Sequence, residues 1–322
     1  MGGVHPRDVV LIMGPTASGK TDLALALAAR FPIKLISVDC AMVYRGLDIG
    51  TGKPSADTLM RYPHALIDIL DPAATYSAGQ FRTDALAHIE AAFRDGKVPV
   101  LVGGTLLYFR ALTQGLAQLP SARADIRAQI DAEAARVGWA ALHAQLDVID
   151  PLAAARIQLK DSQRIQRALE VYRVTGHTLS ELQATARAQP SSLRFHSFIW
   201  SPRSRDELYA RIERRFAEMM QRGLLEEVAG LFRRGDLGPQ LPSIRSVGYR
   251  QLWEHLVGRY SLDEGVRRAI VATRHLARRQ LIWLRGLRDV SWLGALELTA
   301  ADNINECIDV ASRQAGEALA QY

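Results

Sequence analysis

The sequence predicts an α/β protein: a doubly wound parallel sheet, a helical insertion at about residues 120–190, and C-terminal helices that rejoin the core. Three observations carry this. Short β-rich runs alternate with helical stretches over the first 115 residues. From about Leu119 the pattern turns to Ala/Arg/Asp/Gln-rich helical segments. Long amphipathic helices then follow a short apolar run at Phe195–Trp200. The 322 residues are the length of about two domains.

Val9–Met13 reads as the first strand, and Thr21–Phe31 as a helix, with Leu23, Leu27 and Ala24, Ala28 at helical spacing. Lys34–Val38 is a second strand and Leu66–Leu70 a third. Ser77–Arg94 has helical spacing, and Val98–Val102 is almost wholly apolar, as a strand covered on both faces should be. Asp125–Val137, Trp139–Asp147 and Gln163–Thr175 are expected helices, with Asp150-Pro151 and Gly176 as punctuation. A loop at Arg187–Arg194 leads into a strand at Phe195–Trp200. Helices at Arg205–Phe232, Val247–Val257 and Asp263–Arg285 complete the chain. The expected domains are a core of 1–119 and 191–322 and an insertion of 120–190.

Composition narrows the class. Apolar residues make up 48% and charged residues 23%, which excludes a disordered or collagen-like chain. No apolar run reaches the ~18 residues of a membrane span. Cys40 and Cys307 form neither a disulfide framework nor a metal-ligand spacing. A cytoplasmic protein without a membrane partner is expected. The net charge of +6 is uneven: residues 195–290 carry 18 arginines against 11 acidic residues, while the last 32 carry one cation against five anions. A positive field confined to one segment suits a polyanion, or simply a solvated helical surface.

Gly14-Pro15-Thr16-Ala17-Ser18-Gly19-Lys20-Thr21 fits GxxxxGK[ST] in full, with an apolar strand before it and a helix after it. Backbone N–H groups and the positive helix end then cradle a di- or triphosphate, Lys20 adds a cation, and the Thr21 hydroxyl can hold Mg²⁺. The core is therefore expected to be P-loop NTPase-like. No Walker B aspartate ends the Val98–Val102 run, which leads into Gly103-Gly104-Thr105, so phosphate binding need not mean NTP hydrolysis. Asp39 ends the second strand, at the carboxyl edge where open α/β sheets place ligands. There it either accepts a proton from a nucleophile or simply caps a turn.

Five blocks in order, GPTASGKT, ISVDCAMVYRGLDIGTGKP, LVGGTLLYFRAL, DSQRIQRALEVYRVTG and PSIRSVGYRQ, resemble the bacterial tRNA dimethylallyltransferases. They spread from residue 14 to about 285. The resemblance implies transfer of a dimethylallyl group from dimethylallyl diphosphate to the exocyclic 6-amino group of the adenine 3′ to the anticodon. The phosphate loop then clamps a leaving group, and Mg²⁺ is the implied cofactor.

On that resemblance Asp39, Thr16 and Arg245 are catalytic. Asp39 orients the amine and takes its proton, while Thr16 and Arg245 hold the diphosphate. Asp39, Cys40, Ala41, Met42, Thr105, Arg127 and the run Gln163-Arg164-Ile165-Gln166-Arg167 are implied tRNA contacts, as are Arg274 and Arg278. Arg267, Arg274, Arg278 and Arg285 would form one basic stripe, and the insertion would clamp the anticodon stem-loop around a flipped-out base. The protein is expected to be a monomer. Cys40 stands where the family usually has Ser, Gln158-Leu159-Lys160-Asp161 replaces the more usual His-Pro-Asn-Asp, and Gly52 replaces the commoner Ala. Prenylation of a free adenine nucleotide, a metabolite kinase and a non-catalytic RNA-binding module are the competing readings.

Overall fold

The computed structural model describes residues 7–117, 119–185 and 193–293. Its strands are Arg7–Met13 (β1), Ile33–Val38 (β2), His64–Ala65 (β3), Val98–Gly103 (β4), Leu193–Trp200 (β5) and Ser291–Leu293 (β6). They form one sheet in the order β3-β2-β4-β1-β5-β6, with every pairing parallel. Val9, Leu11 and Met13 enter one apolar cluster, and Val10 and Ile12 another on the opposite face. That two-sided burial is why β1 reads as a continuous apolar run.

Helices Lys20–Ala28 (α1), Ala56–Arg61 (α2), Ala78–Arg94 (α3) and Leu106–Gln114 (α4) alternate with the first strands. Phe81, Ala85 and Ile89 of α3 join the cluster on one face, and Leu23, Ala24 and Leu27 of α1 join the other. Ser77 starts α3 by accepting from Gln80 N–H, while the Gln80 side chain accepts from Ser77 N–H.

The chain divides into two compact units, Met1–Thr113 with Ser192–Tyr322, and Gln114–Ser191. The second unit holds Ala124–Val137 (α5), Trp139–Ile149 (α6), Pro151–Ala154 (α7), Ser162–Thr175 (α8) and Leu179–Thr185 (α9). They pack around Ile130, Leu142, Leu146, Ile165 and Leu169, each no more than 1% exposed. The first unit continues with Arg205–Gln221 (α10), Leu224–Arg233 (α11), Tyr249–Leu256 (α12) and Leu262–Arg285 (α13). Val43, Tyr44 and Leu47 bury against Val228, Tyr249 and Leu252, so the segment after β2 is anchored on α11 and α12.

Two expectations need correction. The strand at Leu66–Leu70 ends at Ala65, because Leu66 and Asp68 take positive φ (66° and 57°); only Leu70 makes a bridge, to Tyr44. The helix expected over Arg205–Phe232 is two helices, broken at Gly223, whose φ of 96° no helix interior accommodates. Residues 187–192 of the expected loop, Cys307 and the acidic C-terminal stretch lie outside the described residues. Among the described residues no helix is long and apolar enough to cross a membrane.

Candidate active site at the carboxyl edge of the sheet

The phosphate loop runs from the end of β1 into α1. Glycine is required at position 14, since a Cβ there would stand 2.1 Å from the Trp200 carbonyl at the end of β5. Ala17 takes a left-handed φ of 61°, a strained conformation typical of ligand clamps. The Ser18 hydroxyl is buried and has no hydrogen-bond partner among the described residues. The Lys20 ammonium donates to the Pro15 carbonyl at 2.7 Å, so it lies back along its own loop. Burial, and secondly the Arg215 charge, push Lys20 down to about 8, while Asp39 acts in the opposite direction. A buried ammonium beside a second cation is poised for an anion.

Asp39 follows β2 directly. Its Oδ1 accepts the N–H groups of Ala41 at 2.8 Å and Met42 at 3.3 Å. It thus caps a turn, and the turn fixes the carboxylate within the field of Lys20 and Arg215. Thr105 follows β4 and lies against the same turn: its hydroxyl accepts Cys40 N–H at 3.1 Å, and its own N–H donates to the Val38 carbonyl at 3.2 Å. Cys40 is exposed at this edge, where the surrounding protein and then the Asp39 charge raise its thiol to about 11. It is a neutral thiol there, not a nucleophile.

Arg215 of α10 completes the cluster. Its guanidinium donates to the Thr51 carbonyl at 3.1 Å. Burial lowers its pKa, and Asp39 and Asp22 pull it back up. The loop carrying Thr51 is held in turn by Glu227 of α11, which accepts the N–H groups of Asp48, Ile49 and Gly50 at 3.0, 2.7 and 3.1 Å and the Tyr249 hydroxyl at 2.6 Å. Buried Lys53 closes the loop on the Tyr44 carbonyl, Asp48 and Asp68.

In the second unit, α8 presents Gln163 and Arg164 to solvent. Ile165, expected on RNA, is fully buried in that unit's core, so its side chain holds the helix and does not reach the surface. Arg167 and Arg127 are both spent on Glu170, which is itself fully buried. Arg127 meets it through two bonds of 2.9 and 3.1 Å, and Arg167 at 2.7 Å. Arg164 pairs with Asp161 at 2.9 Å, and Gln166 donates to Asp131 at 2.7 Å.

The basic stripe on α13 is likewise divided. Arg267 makes two bonds to Glu264 at 2.8 and 2.7 Å, and Arg274 pairs with Glu213 while lying over the Tyr209 ring. Arg278 and Arg285 instead line a cavity of about 260 Å³ together with Arg203, Arg205 and Trp292.

Comparison with known proteins decides the family. The IPP transferase family model matches residues 42–287. The tRNA dimethylallyltransferase 2 of Hahella chejuensis is 53% identical over 299 residues, covering 89% of this chain and 90% of that one. The chain belongs to the IPP transferase family. Among solved structures, the tRNA isopentenylpyrophosphate transferase of Bacillus halodurans superposes with a TM-score of 0.67 at 33% identity, over 98% of this chain and all of that one. A eukaryotic dimethylallyltransferase shares the fold, with a TM-score of 0.76 at 23% identity, over 97% of this chain and 80% of that one.

This IPP transferase brings Gly14–Thr21, Asp39, Cys40 and Thr105 together at one sheet edge, on the P-loop-type parallel core that the motif predicts. Arg245 is exposed on the turn ahead of α12, where its backbone N–H donates to the Leu241 carbonyl. The arginine acting on Lys20 is Arg215, which sequence reading passed over. Its signal was there: Leu208, Ile212, Phe216 and Met219 form the buried stripe of α10, and Arg215, three residues after Ile212, stands at the edge of that stripe, where a charge is an anomaly. Glu227, the buttress of the loop, carries no such signal.

Proposed function

We propose that this IPP transferase moves a dimethylallyl group from dimethylallyl diphosphate to tRNA, onto the exocyclic 6-amino group of the adenine 3′ to the anticodon. The observation that carries the reading is the pairing of an electropositive phosphate cradle, Lys20 with Arg215, with the Asp39 carboxylate fixed at its mouth. The Hahella relative at 53% identity supports it.

The C–O bond to the diphosphate breaks and its electron pair leaves with the diphosphate. A C–N bond forms from the allylic carbon to the amine, and the amine proton passes to Asp39. Negative charge grows on the departing oxygens, so loop N–H groups, Lys20 and Arg215 stabilise the transition state more than the bound donor. Thr16 belongs to the same cradle. We assign the first arginine contact to Arg215, with exposed Arg245 as the second. Thr105 and the turn of Cys40, Ala41 and Met42 face the acceptor base. A thiol at Cys40 contributes only a weak hydrogen bond there.

Mg²⁺ fits this site through Thr21, beside the unpartnered Ser18 hydroxyl. Among the described residues no cluster of three His, Cys, Asp or Glu side chains could hold a metal, so the ion would depend on Thr21 and diphosphate oxygens. When bound, it neutralises charge on the leaving group. On the RNA side we assign Gln163 and Arg164 of the insertion and Arg278 of the core. Arg127, Arg167 and Arg274 keep a secondary place, because carboxylates hold them and they are less exposed than Arg164, which pairs with Asp161 yet stays largely in solvent.

The test is incubation of the protein with dimethylallyl diphosphate and unmodified tRNA, reading the mass of anticodon-loop adenosine. A gain of one isoprene unit is expected. No gain, with ATP turnover instead, would favour a phosphate-loop kinase.

A further inference from the structure

We infer that Gln280 is a positioning residue that sets the distance between the phosphate cradle and the acceptor edge; the inference rests on the transfer reaction proposed above. Gln280 lies on α13, and its side-chain amide spans two loops. Oε1 accepts the Thr16 N–H at 2.9 Å, and Nε2 donates to the Gly104 carbonyl at 2.8 Å. Both ends of the amide are used, and a flipped amide would set oxygen against oxygen and N–H against N–H, so its orientation is determined. The space between the loops is filled by this side chain. A Cβ at position 104 would stand 2.6 Å from Gln280 Nε2 and 3.3 Å from the Gly14 carbonyl.

Each end of the tie continues into the site. At the cradle end, Ala17 follows Thr16 and packs with Leu208, Ile212 and Ala277, the last lying one turn before Gln280 on the same helix. At the other end, Thr105 follows Gly104, accepts Cys40 N–H and donates to Val38, so it brackets Asp39. Thr16, Gln280, Gly104, Thr105 and Cys40 therefore form one run of covalent and hydrogen bonds from the leaving-group clamp to the turn of Asp39.

Displacement at carbon needs the departing oxygen and the incoming nitrogen in line, and an error near 1 Å costs on the order of 10²-fold in rate. The two loops leave neighbouring strands whose pairing ends at Met13 and Gly103, and beyond that pairing Gln280 ties them to each other.

Gln280→Met keeps the length and removes both hydrogen bonds. Gln280→Glu keeps an acceptor for Thr16 and loses the donor to Gly104. For Gln280→Met, kcat for transfer is expected to fall about 30- to 100-fold. The KM for dimethylallyl diphosphate and the Kd for inorganic pyrophosphate should move less than about threefold, with the melting temperature within a few degrees. Gln280→Glu should fall at least as far. A kcat within threefold of wild type would overturn the inference. So would a kcat that falls in step with pyrophosphate affinity and melting temperature, which marks a residue of binding or folding alone. If wild type transfers nothing to tRNA, the proposed function fails and this inference with it; if wild type transfers and Gln280→Met does too, only the inference fails.

Discussion

The Arg215 guanidinium is fastened to the Thr51 carbonyl, and this bond holds a cation within the electrostatic reach of Lys20. Glu227 makes the anchor firm by taking three consecutive N–H groups of the same loop. Arg215→Gln is expected to lower transfer kcat about 10²- to 10³-fold, the size of one lost transition-state donor. Steady-state kinetics on protein with an unchanged circular dichroism spectrum checks it. A loss below tenfold would remove Arg215 from the diphosphate.

Lys20 supplies a pH prediction. Its pKa of about 8 lies below the ordinary lysine value of 10.5, so the free site loses this cation as pH rises through about 8. Affinity for dimethylallyl diphosphate without tRNA is expected to fall about tenfold between pH 7 and 9, and Arg215→Gln should move the midpoint upward. Stability runs the other way. Between about 8 and 10.5 the unfolded chain holds the proton and the fold does not, so this lysine's contribution to stability rises with pH. Calorimetric titration at several pH values reads the affinity; a flat profile would count against the arrangement.

Asp39→Asn separates the two roles of the aspartate. The asparagine carbonyl can still accept from Ala41 and Met42, so the turn survives, while the proton acceptor is lost. Transfer is expected to fall by at least about 10²-fold, with tRNA affinity within threefold of wild type. Equal loss of both in a filter-binding and transfer comparison would make Asp39 structural.

Glu170 concerns stability of the second unit. Burial alone would raise its pKa, but Arg127 and Arg167 overcome this and hold it below the ordinary value near 4.5. Its ion pairs therefore stabilise the fold fully above about pH 4.5 and are lost as pH falls below that. Glu170→Gln is expected to cost about 2 kcal/mol at pH 7, less than a fully buried pair because both arginines are part-exposed. Chemical denaturation at pH 7 and pH 4 checks it: the difference between variant and wild type should shrink at pH 4.

The two kinds of arginine on α13 should respond differently. Arg278 lines the cavity with Arg203, Arg205 and Arg285, whereas Arg267 is paired with Glu264. Arg278→Ser is expected to weaken tRNA binding uniformly and to reduce the slope of log affinity against log salt by about 1. Arg267→Ser should change either quantity little. Binding isotherms at three salt concentrations decide, and equal slopes for both variants would refute the distinction.

Much of this was legible in the chain. The GxxxxGK[ST] block between an apolar strand and a helix locates the cradle, because its chemistry depends on residues adjacent in sequence. Asp39 and Thr105 were legible for a related reason: each follows a core strand, and parallel strands deliver their carboxyl ends to one edge. The break at Gly223 was less visible, since the flanking apolar spacing resumes so soon afterwards. The left-handed residues Leu66 and Asp68, which end β3, had no glycine to announce them.

The chain on its own determined the layer order, the phosphate loop and the residues at the strand ends, since these follow from local spacing and from where parallel strands must point. Tertiary structure alone decided which charges are free to act. Arg215 joins the site and Gln280 bridges two loops, while Arg127, Arg167 and Arg267 are held by Glu170 and Glu264. A charge's availability depends on partners tens or hundreds of residues away, and on how much water they displace, and neither is written in the residue's own neighbourhood.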